Sequence, residues 1–129
     1  MSTTPRLVSI IRLKTLEPLK NSSIFRGDQE TLQIKIVEPN QLGATFRFVA
    51  RLHLDHPNGS LQIIKSGTDF TTTINESGNV VLSTVVINPV DTNHFHDRTL
   101  LVYELERTVG SDITTLEQGV FSIEPDVAI

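Results

Sequence analysis

The chain has 129 residues, enough for one core, and its 12 Ile, 12 Val and 15 Thr against 3 Ala exclude an all-helical protein, because side chains branched at Cβ favour the pleated strand. With 11 Lys and Arg against 15 Asp and Glu the formal charge is −4, which offers no broad basic face to a nucleic acid; the absence of cysteine excludes disulfides, thiolate metal sites and thiol nucleophiles. No apolar run approaches the roughly 18 residues needed to cross a bilayer, and the N-terminus carries charges where a signal peptide is apolar, so a soluble protein with neither membrane nor nucleic-acid partners is expected.

In chain order, Leu7, Val8, Ile10, Ile11 and Leu13 predict a first strand that ends before Glu17-Pro18. Asn21-Ser22-Ser23 reads as a loop. Residues 31–37 (TLQIKIV) alternate, with Leu32, Ile34 and Ile36 on one face and Gln33 and Lys35 on the other. After a turn at Pro39-Asn40 and Gly43, residues 44–54 (ATFRFVARLHL) alternate again, Phe46, Phe48, Ala50, Leu52 and Leu54 against Arg47, Val49, Arg51 and His53. His56-Pro57-Asn58-Gly59 is a strong turn signal, so residues 61–65 run back as a hairpin partner. Residues 68–74 and 80–87 make a second hairpin around Asn75 to Asn79. The polar stretch 90–98 (VDTNHFHDR) is a short helical turn or an irregular crossover, and a terminal hairpin follows, with strands near Leu100 to Leu105 and over 113–123.

Seven to eight short strands at this spacing predict an all-β, immunoglobulin-like antiparallel β-sandwich. The expected division is an N-terminal arm or edge strand over residues 1–20 and the sandwich over 21–129. In the first segment Leu7, Ile11 and Leu13 are candidate binding residues of a strand-exchange arm, since an extended apolar stretch can add to a neighbour's open edge; the alternative is pairing within its own sandwich.

Chemistry is thinly written. The four histidines fall in two pairs, His53 with His56 and His94 with His96; an H-x-H in an extended segment points both rings one way, so His94 and His96 are weak metal candidates, although no acidic residue sits at ligand spacing. No nucleophile-elbow motif or phosphate-cradling glycine loop is present, and Glu104 and Glu106, at i and i+2 on one strand, read as a solvated face. The expectation is no enzyme and no cofactor. Arg26-Gly27-Asp28 spells a familiar integrin tripeptide, yet its better reading is structural: Gly27 permits a tight bend and Asp28 can bond the backbone beyond it. The lack of Trp and the single Tyr103 argue against a glycan-binding face, and Phe46, Phe48, Phe70 and Phe121 read as core.

Five segments taken together carry a resemblance: Ile24-Phe25-Arg26-Gly27-Asp28, the strand Phe46 to Arg51, Ser77 to Leu82, Leu101 to Glu106, and the closing run from Thr115 through Gly119 and Phe121 to Pro125-Asp126-Val127. In this order they resemble small tailed-phage virion domains, most closely the N-terminal domain family of the phage baseplate upper protein. The resemblance implies an immunoglobulin-type sandwich that plugs a receptor-binding or fibre assembly into the tail, with Arg26, Gly27, Asp28, Pro125 and Asp126 as structural residues. It further implies a homo-oligomeric virion protein of tail, neck or baseplate whose partners are other phage structural proteins, or alternatively a capsid decoration protein and, less favoured, a host-glycan module.

Overall fold

The computed structural model describes residues 7–53 and 60–125. Nine strands lie among the described residues: β1 (Leu7–Arg12), β2 (Ser23–Phe25), β3 (Glu30–Val37), β4 (Thr45–Leu52), β5 (Leu61–Ser66), β6 (Phe70–Ile74), β7 (Val80–Ile87), β8 (Thr99–Val109) and β9 (Asp112–Glu124). They form two sheets, A in the order β1-β3-β7-β6 and B in the order β2-β9-β8-β4-β5, packed face to face as an immunoglobulin-like β-sandwich.

The alternation seen in sequence is what fills the space between the sheets. Leu32, Ile34 and Ile36 point inward from β3 and Val81, Val85 and Ile87 from β7; Phe46, Phe48 and Ala50 meet them from β4, with Leu101, Tyr103, Leu105, Phe121 and Ile123 from β8 and β9. Phe46, Phe48, Phe70 and Phe121 are all buried, as expected of core residues. Phe48 stacks on Tyr103 at 5.7 Å between ring centres, and Tyr103 meets Phe121 at 5.8 Å.

Three ion pairs tie the layers together at their margins. Arg12 of β1 bonds Glu30 of β3 at 2.7 Å and donates across to the Ser23 carbonyl of β2 at 2.8 Å. Arg107 of β8 reaches Glu38, just past β3, and Gln41. Lys65 of β5 meets Asp91 at 2.7 Å in the short helix α1 (Pro89–Thr92), which begins the crossover from sheet A to sheet B. Each buried guanidinium or ammonium thus has a carboxylate partner, which burial demands.

Two features depart from the sequence expectation. The strand count is nine because Ser23–Phe25 is a strand, not the end of a loop. That strand also runs parallel to β9, Ser23 opposite Ser122 and Ile24 opposite Ile123, so the sandwich is antiparallel except for one pair. The hairpins β4–β5, β6–β7 and β8–β9 pair as expected. The turn His56 to Gly59, Leu54 and Asp126 lie outside the described residues.

Candidate functional site

The outer faces of the two sheets differ in charge. On sheet A the register aligns the outward residues in rows: Leu7, Val37 and Val80; then Ser9, Lys35, Leu82 and Thr73; then Ile11, Gln33, Thr84 and Thr71; then Thr31 and Val86. Lys35 is the one charge among these thirteen positions. Leu7 is 60% exposed and Leu82 41%. A shallow hollow of about 340 Å³ opens between Leu7, Val8, Ser9, Lys35 and Val37 at the β1 margin.

Sheet B covers its own outward apolar residues. Val49 and Val102 point away from the core yet are buried, beneath a surface where Arg47 pairs with Glu106 at 3.3 Å, Gln118 donates to Glu104 at 3.4 Å and Arg98 pairs with Glu124 at 3.0 Å. Glu104 and Glu106 therefore share one face of β8, as their spacing requires, and each is held by a neighbour. A face with one charge and several half-buried or exposed β-branched and leucine side chains is the kind that another protein surface covers.

The N-terminal candidates divide. Among the described residues of this segment, β1 pairs with β3 from Leu7 opposite Val37 to Arg12 opposite Leu32. Leu7 and Ile11 belong to the outer face of sheet A, whereas Ile10 and Arg12 turn inward. The strand then folds back on its own edge. Arg12 donates its N–H to Glu17 O, Leu19 donates to Ile10 O, and Leu13, still paired to Thr31, begins the turn between them.

His94 and His96 do not converge. The segment is a turn following α1, not extended chain, and Phe95 between them is buried. His94 meets Gln62 Oε1 at 3.2 Å and packs on the Phe95 ring at 4.0 Å, while His96 faces Arg26 at 3.5 Å. His53 is in contact with β8 through its backbone N–H to Leu100 O, and His56 lies outside the described residues. Among the described residues no three His, Asp or Glu side chains gather as a metal site.

Arg26-Gly27-Asp28 is held against the crossover. Gly27 has φ +81°, and its N–H donates to Thr92 Oγ1 at 2.8 Å. The bond at Asp28 is made by its backbone N–H to Phe25 O at 3.2 Å, so the bend is closed by main chain where a side-chain bond was expected. Arg26 donates its N–H to Glu124 O, extending the β2–β9 pairing, and the half-buried Pro125 follows directly.

One constellation was not singled out in sequence. Tyr103 lies flat over Gly119 on the neighbouring strand, where a Cβ would stand 2.9 Å from the ring, and its hydroxyl donates to Glu117 Oε2 at 2.5 Å. Burial, followed by the bond to and charge of Glu117, holds the phenol well above the usual tyrosine range. As a hydrogen-bond donor it ties β8 to β9. The signal available in sequence was the isolated glycine in a strand, which marks a close approach.

No protein-family model and no curated protein matches the chain. Solved structures similar to it include the periplasmic chaperone SfaE, at 9% identity and a TM-score of 0.43 over 92% of this chain and 57% of that one. A family 123 glycoside hydrolase from Clostridium perfringens is similar at 12% identity and 0.49, over 95% of this chain and 28% of the enzyme. AggA, the major subunit of aggregative adherence fimbriae type I from Escherichia coli, is similar at 7% identity and 0.43, over 97% of this chain and 98% of that one. The chain thus spans little more than half of the chaperone and under a third of the hydrolase.

Proposed function

We propose that the chain is a bacteriophage virion structural protein, an adaptor that joins virion components by protein–protein contact through the outer face of sheet A. The observation that supports this is the single charge, Lys35, on a four-stranded face whose rows include Leu7, Val37, Val80 and Leu82. Leaving such a face in water forgoes about 25 cal/mol for each Å² of apolar surface that a partner would cover. The virion context comes from the sequence resemblance, and the face supplies the surface on which such a role would rest.

The test is incorporation. Purified particles of the encoding phage should contain the protein at a fixed copy number by quantitative mass spectrometry. Leu82→Glu, placed in the middle of the face, should fold with an unchanged circular dichroism spectrum and yet fall more than about tenfold in particles, because a carboxylate would have to be desolvated there. Particles without the protein, or equal uptake of the variant, would overturn the proposal.

A further inference from the structure

Four strand edges bound the two sheets, and three of them are blunted. The β1 edge is closed over Ile10 and Arg12 by the returning segment at Glu17 and Leu19. The β9 margin is partly covered by β2 and by Asn21, whose N–H donates to Val120 O, and β9 slips register against β8 between Leu105 and Glu106. β5 slips register against β4 between Ala50 and Arg51. The fourth edge, β6, is regular along its whole length, uncharged, and unpaired by any described segment.

The sequence of that edge is Phe70-Thr71-Thr72-Thr73-Ile74, with all three threonines exposed. Asn75 donates to Val80 O, and the register is constant from there, so the odd-numbered residues bond β7 and the even-numbered ones direct their N–H and C=O groups outward. Thr72 is the middle one, its hydroxyl bonded to Ser83 at 2.8 Å. Edge strands of this kind normally carry a lysine, a proline or a bulge.

We infer that β6 is the contact through which two copies of this chain associate, pairing antiparallel about a two-fold axis at Thr72 to join both A sheets into one of eight strands. The segment is complementary to itself in that arrangement. Thr72 faces Thr72 of the second copy and exchanges both backbone bonds; Thr71 faces Thr73; Phe70 faces Ile74, covering a side chain left half-buried at the open side of the core. No charge within the strand meets its like. The joined A sheets would also double the weakly charged outer face, so the inference deepens the adaptor reading and rests on it.

The absence of cysteine makes the test direct. Paired Thr72 residues would have Cα atoms about 5.5 Å apart, within disulfide reach. Thr72→Cys should therefore give a covalent dimer on mild oxidation, whereas Thr45→Cys on β4 should not. In sedimentation over a concentration series the parent chain should dimerise. Thr72→Pro should stay monomeric, because it removes an N–H that the chain itself does not use, while the loss of the hydroxyl bond to the buried Ser83 lowers its melting temperature. Should that proline prevent folding, Thr72→Lys should weaken the dimer more than about tenfold by setting two ammonium groups at the axis. A parent dimer that ignores these variants and does not cross-link at residue 72 would overturn the β6 interface while leaving the adaptor reading in place. A parent chain monomeric throughout would overturn the pairing itself, and the adaptor reading would then stand or fall on particle incorporation alone.

Discussion

Leu16 has φ +62° and is 70% exposed, at the close of the turn that folds the chain back over the β1 edge. A leucine there bears the left-handed penalty without any burial in return, so Leu16→Gly should stabilise the protein by about 1 kcal/mol and raise its melting temperature. An unchanged or lower melting temperature would show that the turn is relaxed. At Gly27 the sign is opposite. The backbone has φ +81°, and a Cβ would stand 3.2 Å from Asn93 Oδ1, so Gly27→Val should cost about 1–3 kcal/mol in urea unfolding, through backbone strain and displacement of the crossover. Equal midpoints would sink that account.

At the scale of elements, the Arg12–Glu30 pair decides how firmly β1 belongs to the sandwich. Glu30 is 1% exposed and Arg12 also reaches β2, so Arg12→Ala strands a carboxylate between the sheets and should cost about 3–5 kcal/mol. The double change Arg12→Met with Glu30→Leu should recover most of the loss; if it is as unstable as the single variant, the charge is not what matters. The elements also show what sequence could convey. β3 was legible because its buried residues alternate with less buried ones over eight positions, β4 because apolar and polar residues alternate over Phe46 to Phe48, and β7 because a β-branched run lies between turn signals. β2 was not, because three residues between Asn21 and Gly27 hold no period, and only their pairing with Ser122–Glu124 makes them a strand. The His94 and His96 spacing assumed extended chain, and the burial of Phe95 in a turn sends the two rings to different neighbours.

For the whole molecule, the candidate surface was only half visible in sequence. Leu7 and Ile11 could be marked as an apolar strand, but that they adjoin Val37, Val80 and Leu82 depends on which strands lie side by side, and alternation within a strand says nothing about its neighbours. The charge balance of −4 is likewise a property of the chain that hides its distribution: sheet B bears Arg47, Glu104 and Glu106 outward, and sheet A bears Lys35. The incorporation and cross-linking experiments both belong at this scale, since they ask what covers a face and what continues a sheet.

The parallel pairing of β2 with β9 also sets a timetable. Ser23 and Ser122, 99 residues apart, share a hydroxyl hydrogen bond of 2.9 Å, and Ser122 donates its N–H to Ser22 O. The third residue of β2 needs Glu124 beside it, so sheet B cannot close during synthesis until that residue has left the ribosome. Contacts this distant along the chain must overcome a large loop entropy before they return any stability, so this corner of sheet B is expected to close late in folding. Until that moment Ile24, fully buried in the finished protein, waits without its place in the core.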